Sequence, residues 1–203
     1  MKILLMVDIQ NDFLPTGMLP VSEGDQIISV TNKLVEKFDL VAATQDWHPE
    51  NHKSFAINNG KEIGEMIKLN GIDQMMWPTH CVQDTNGAEF VPDLNTHKID
   101  QIFQKGTDPE IDSYSGFFDN DHKSSTGLEA YLKSKDVNQV YIAGLALDYC
   151  VMYTALDCHQ LGFDTYVIVD ATRGVNIDPQ DSVKAVKEMG QCGIKIIQSM
   201  DIV

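Results

Sequence analysis

The chain opens with a continuous apolar run, Ile3 to Val7, that stops abruptly at Asp8. An apolar run without polar alternation belongs to a strand covered on both faces, the habit of parallel sheets. The unit recurs along the chain: Leu40 to Thr44, Ile99 to Gln104, Val140 to Ala143, Thr165 to Val169 and Ile194 to Ile197 read as further strands. Helical patterns lie between them. Ile27, Val30, Leu34 and Phe38 stand at helical spacing after Ser22 as N-cap, and Leu128, Tyr131 and Leu132 follow a cap at Ser124 or Ser125. Cys150 to Leu161 reads as a helix, and Asp178-Pro179 opens another that carries Val183, Val186 and Met189 on one face. Strands alternating with helices predict an α/β fold, a parallel sheet with helices on both faces.

At 203 residues the chain suits one domain spanning 1–203, and it carries no internal repeat, low-complexity tract or linker. Residues 49–98 are irregular and rich in Asn, Gly and Pro, with only a weak helical patch near Glu62 to Leu69. A loop of that length in a compact domain is functional or a lid. The net charge of −15 argues against a nucleic-acid partner, which needs clustered Lys and Arg, and against an anionic membrane surface. No apolar run approaches the ~18 residues of a membrane span, and the N-terminus reads as a strand rather than an export signal. The expectation is a cytoplasmic protein with reduced thiols. Cys81, Cys158 and Cys192 read as small buried hydrophobes.

In an open α/β sheet the carboxyl ends of the strands line one crevice, so residues remote in sequence converge there. Asp8, Asp46-Trp47-His48, Lys105 and Cys150 all stand at such ends. Cys150 sits at a strand-to-helix junction, where unpaired N–H groups and the helix dipole favour a thiolate. A neighbouring Lys105 ammonium would favour it further, and the Asp8 carboxylate could shuttle a proton. Asp46 and His48 lie two apart on extended chain, so both side chains point the same way as a two-ligand arm. His80, in WPTHC, could close the set, and one carboxylate with two imidazoles suits a catalytic zinc, manganese or iron. His52 is a further candidate ligand or outer partner. Phe13, Trp77 and Tyr114, if they reach the crevice, would sandwich a flat ring. His97, His122 and His159 read as structural.

These motifs together (VDIQNDF, Asp46-Trp47-His48-Pro49, WPTHC, Lys105-Gly106 with a following Tyr-Ser-Gly-Phe, and GLALDYCV) resemble the isochorismatase-like cysteine hydrolase family, in its nicotinamidase (pyrazinamidase) branch, over nearly the whole chain. The resemblance implies a three-layer sandwich with a six-stranded parallel sheet. It implies Asp8, Lys105 and Cys150 as a catalytic triad, and one divalent metal, zinc first and manganese or iron after it, on Asp46, His48 and His80. It implies that Phe13, Trp77 and Tyr114 pack on the ring of nicotinamide. Ala146 and Cys150 would supply oxyanion-hole N–H groups next to a cis Leu145–Ala146 peptide. Leu147 stands where relatives often carry Thr, which would narrow the pocket.

Three rival readings stay open at the sequence. Another small amide, such as an N-carbamoyl compound, would need no metal arm. Vinyl-ether hydrolysis would need no cysteine nucleophile. A catalytically silent binder would not need the Asp, Lys and Cys set. The oligomeric state is open, and a homo-oligomer is compatible with the chain.

Overall fold

A computed structural model describes residues 1–202. In chain order its elements are β1 (Lys2–Val7), α1 (Ile27–Val35), β2 (Val41–Asp46), β3 (Met66–Leu69), β4 (Ile72–Met75), β5 (Gln101–Lys105), α2 (Leu128–Ser134), β6 (Gln139–Leu145), α3 (Met152–Gln160), β7 (Asp164–Arg173), α4 (Asp181–Gln191) and β8 (Lys195–Ile197). Six of the strands form one parallel sheet in the order β5-β2-β1-β6-β7-β8, so the expected architecture is met.

The apolar run of β1 explains the layering. Ile3, Leu5 and Val7 face one core with Leu128 and Leu132 of α2, Ala155 and Cys158 of α3 and Met189 of α4. Leu4 and Met6 face a second core with Ile27, Leu34 and Val35 of α1. Alternate residues of a strand point to opposite faces, so a strand apolar at every position must be sandwiched. β1 and β6 are paired from Lys2↔Gln139 to Val7↔Gly144, which brings Asp8 beside the segment that leads into Cys150. β2 and β5 end in register, with Asp46 opposite Lys105.

Four sequence expectations shift. The weak helical patch at Glu62 to Leu69 is instead the start of an antiparallel hairpin, β3 paired with β4 from Met66↔Met75 to Leu69↔Ile72. Its turn is Asn70-Gly71, with φ of 50° and 87°, the pair of left-handed residues that a tight two-residue hairpin requires. Ser22 caps nothing, because a short 3₁₀ turn, Gly24–Gln26, leads into α1. The helix expected from Cys150 begins earlier, as a π-turn over Leu147–Val151 that runs on into α3. Of the cysteines, Cys81 and Cys158 are buried as expected, but Cys192, just past α4, is exposed. No helix among the described residues is long and apolar enough to cross a membrane.

Candidate active site

Asp8 follows β1 in the left-handed region, φ 48°, and is completely buried. Its Oδ1 accepts a hydrogen bond from Thr44 Oγ1 at 2.6 Å, and Lys105 Nζ stands 2.9 Å from its Oδ2. Lys105 also donates to Asp46 Oδ1 and to the Ser113 carbonyl (2.8 Å), and its Nζ is 3.5 Å from Cys150 Sγ. Oxygens of Asp8 and Asp46 and the sulfur of Cys150 lie within 4.8 Å of one another.

Burial sets the protonation states of this group. It lifts the pKa of Asp8 above the ordinary carboxylate value, and Lys105 offsets only part of the rise. Burial works against the charge of Lys105, but Asp46 and Asp8 overcome it and hold the ammonium well above its usual pKa. Burial pushes the Cys150 thiol well up, and the Lys105 charge does not compensate. Burial thus outweighs the helix start and Lys105, the two features read from the sequence as favouring a thiolate. Burial favours the protonated thiol, so the site needs a base to take its proton, and Asp8 lies beside it.

The second group shares Asp46. Its Oδ2 lies 3.5 Å from His48 Nε2 and 3.8 Å from His80 Nε2. Each imidazole commits Nδ1 to a backbone carbonyl at 2.8 Å, His48 to Gly106 and His80 to Pro78. A donating Nδ1–H leaves Nε2 as a lone pair, the arrangement that outer-shell carbonyls impose on metal-binding histidines. Burial, then the neighbouring His48, lowers His80 to about 4, so it is neutral and free to ligate. Burial opposes ionisation of Asp46, yet Lys105 and His48 hold its carboxyl far below the usual range. Burial opposes a charge on His48, but Asp46 overcomes it and raises the imidazole's pKa, so His48 must yield that proton to ligate. The carboxylate and the two Nε2 atoms together fit a divalent ion. Gly106 is required here: at φ 63° a Cβ would meet His48 Cε1 at 2.3 Å.

His52 lies outside that set. Its ring sits 4.3 Å from that of His48, with Nδ1 on Ser54 Oγ (2.7 Å) and Nε2 on the Ile111 carbonyl (3.2 Å). It forms a different potential ligand group with His48 and Asp112.

Members of both groups, Asp46, His80 and Cys150, line one cleft together with Phe13, Trp77, Tyr114 and Ala146. The Leu145–Ala146 peptide is cis. Over residues 2–201 the chain matches the Isochorismatase domain family. It belongs to the isochorismatase family.

Other members are similar over their full length. The nicotinamidase of Escherichia coli (strain K12) is 44% identical over 204 residues, which cover 98% of this chain and 96% of that protein. Among solved structures, a nicotinamidase/pyrazinamidase from Acinetobacter baumanii is 45% identical, with a TM-score of 0.97 and coverage of 100% of this chain and 98% of that one. The pyrazinamidase of Pyrococcus horikoshii in complex with zinc is 42% identical, with a TM-score of 0.81 and coverage of 97% and 98%.

The cleft of this isochorismatase-family chain also uses residues that sequence reasoning missed. Leu19, Asp112, Tyr149 and Val175 complete its walls. Tyr149 stands edge-on to Trp77, ring centroids 4.8 Å apart, and Trp77 Nε1 donates to the Tyr114 hydroxyl at 3.1 Å. Gln10 brackets Asp46 by accepting from its N–H (2.9 Å) and donating to its carbonyl (2.8 Å). Tyr149 had a legible signal, because it adjoins Cys150. Leu147, expected to narrow the pocket, packs instead in the core beneath α2 and α3.

Proposed function

We propose that the chain is a metal-dependent cysteine amidohydrolase that converts nicotinamide to nicotinate and ammonia through a thioester on Cys150, and that it deamidates pyrazinamide as well. The observation that carries this reading is the double use of Asp46, one oxygen on Lys105 and the other toward His48 and His80. It makes the thiol centre and the metal arm a single site. The family's nicotinamidases, similar to this chain from end to end, support the substrate.

In the reaction Asp8 takes the thiol proton, and Cys150 Sγ attacks the amide carbon. A base raised by burial is better matched to a buried thiol than an ordinary carboxylate would be. The backbone N–H groups of Ala146 and Cys150 receive the oxyanion. Asp8 returns its proton to the amide nitrogen, the C–N bond breaks and ammonia leaves. Asp8 then takes a proton from water, whose oxygen attacks the thioester. The C–S bond breaks, nicotinate forms, and the proton returns to Cys150. Lys105, placed between the two carboxylates, offsets part of their charge. A divalent ion on Asp46, His48 and His80, zinc before manganese or iron, would hold the ring nitrogen and so orient the carboxamide. Phe13, Trp77 and Tyr114 would enclose the ring. The reading makes the chain an enzyme of NAD salvage in the cytoplasm.

The test is ammonia release from nicotinamide by metal-replete protein beside the Cys150→Ala variant. Release by the native chain that disappears in the variant is expected. Release that survives the substitution would remove Cys150 as nucleophile, and no release from either would remove nicotinamide as substrate.

A further inference from the structure

Asp148 stands two residues before Cys150 on the same π-turn, is only 6% exposed, and forms no ion pair among the described residues. A carboxylate buried without a cation needs strong donors. Asp148 finds them in the loop between β7 and α4: Oδ1 accepts from Val175 N–H at 2.9 Å, and Oδ2 from Asn176 N–H at 2.7 Å. Two successive backbone N–H groups on one carboxylate make an anion nest, which an amide side chain with a single acceptor oxygen cannot reproduce.

The loop is shaped around this grip. Asn176 is left-handed, φ 54°, and its Oδ1 accepts from Ser182 N–H at 3.0 Å at the start of α4. At Gly174 a Cβ would fall 2.1 Å from Ser182 Oγ and 3.1 Å from Asp148 Cγ, so a side chain there would have to displace the serine hydroxyl and crowd the carboxylate. Just before the loop, Arg173 holds Glu23 at 3.5 Å and Gln26 at 3.0 Å, contacts at a surface, where such pairs contribute little. Val175, the residue gripped, is a wall of the cleft that holds Cys150.

We propose that Asp148 is a positioning residue that pins Val175 to the turn carrying the nucleophile, and so restricts the cleft to amides borne on a single ring. In its substrate terms the inference rests on the amidohydrolase reading. The wall and the sulfur then belong to one rigid unit, and the gap between them is fixed by two hydrogen bonds rather than by a mobile surface loop.

The test compares the native protein with Asp148→Asn and Val175→Ala by two readouts. The first is steady-state turnover of nicotinamide and of quinoline-3-carboxamide, a fused two-ring amide. The second is alkylation of Cys150, located by peptide mass spectrometry, with iodoacetamide and with N-(1-naphthyl)iodoacetamide. Asp148→Asn should raise KM for nicotinamide roughly 10-fold. Its kcat should stay within about twofold, because the lost contact orients a wall and not the reacting atoms. The kcat/KM ratio of the two-ring to the one-ring amide should rise, and with it the ratio of naphthyl to small alkylation at Cys150. Val175→Ala should widen the cleft in the same sense. A fall in kcat at unchanged KM would show that Asp148 acts on the nucleophile's turn instead, and overturn the proposal. An unchanged alkylation ratio in Asp148→Asn would overturn it too, and should that variant fail to fold, an unchanged ratio in Val175→Ala would do so. If the native protein releases no ammonia from nicotinamide, the amidohydrolase reading fails, while the alkylation ratio still decides whether Asp148 holds the wall.

Discussion

The two halves of the site are built differently. Asp8, Lys105 and Cys150 stand at or beyond the ends of β1, β5 and β6, strands of one sheet in which β2 lies between β5 and β1 and hydrogen bonding fixes the register. Of the metal arm, only Asp46 is on a strand. His48 and His80 belong to the long excursion after β2, and each takes its orientation from a single backbone carbonyl, Gly106 or Pro78. The thiol half is therefore held by the sheet and the metal half by loops, and Asp46 and Lys105 are the hinge between them. In an enzyme so divided, damage to the first half should abolish chemistry without loss of the ion, whereas damage to the second should loosen ion and substrate and spare the thiol's reactivity.

The largest expected effect is at Asp8. Asp8→Asn should lower kcat by up to about 10⁴-fold, the upper range for loss of a general base, and leave metal content by elemental analysis unchanged. Loss of the ion in that variant would mean the halves are not separable. The same carboxyl sets a pH limit. Asp8 works as a base only when ionised, and burial raises its pKa. Activity is then lost as pH falls through a value above the ordinary carboxylate range, and the acid limb of kcat/KM measures it. A limb within the ordinary range would contradict the burial argument. The effect on stability has the opposite sense: a carboxyl whose folded pKa is raised favours the fold most below its unfolded pKa, and that contribution fades as pH rises through the folded value.

Next comes the hinge. Lys105→Met leaves two buried carboxylates, Asp8 and Asp46, without their shared cation. Breaking a buried pair in this way costs about 3–5 kcal/mol, read from the denaturant midpoint. A midpoint close to the native one would show that water enters and that the pocket is less dry than the packing indicates.

A smaller effect separates the loops from the sheet. Gly106→Ala drives a Cβ into the His48 ring and displaces the carbonyl that holds its Nδ1–H. Metal affinity should fall by roughly 10–100-fold, as for loss of an outer-shell partner, with alkylation of Cys150 retained. Equal loss of both would make the two halves one.

The same division explains what could be read from the sequence. The strand-end residues were legible because an apolar run that stops at a charge marks both the strand and its end, as Val7-Asp8 does. Asp46-x-His48 was legible as extended chain with a period of two. Within the excursion the signals weaken. Met66 to Leu69 was misread as helix because its residues are only half-buried or exposed, leaving little apolar pattern, although Asn70-Gly71 carried the correct turn signal. Gln10, Asp112 and Val175 were not legible at all, since each reaches the site through contacts between segments far apart in the chain. The weight of burial at Cys150 was not legible for a related reason: the number of atoms around a sulfur is a property of packing, and that burial outweighs the one cation nearby.

The thiols give the smallest prediction, and one on which the labelling experiments depend. Burial pushes Cys81 well above its ordinary pKa and Cys158 up to about 12, so neither should react at neutral pH. Cys192 is exposed, beyond the last turn of α4 and away from both cores. A surface substitution with no partner to lose changes stability by no more than about 0.5 kcal/mol, so Cys192→Ser should leave the denaturant midpoint and turnover where they were. It should also remove the fastest-labelled thiol, leaving slow alkylation at Cys150 as the remaining signal. Two fast thiols in the native protein, one of them surviving Cys192→Ser and lost with Cys150→Ala, would make Cys150 a resting thiolate. In that case the field of Lys105 would exceed the burial penalty, and the thiol half of the site would be charged before substrate arrives.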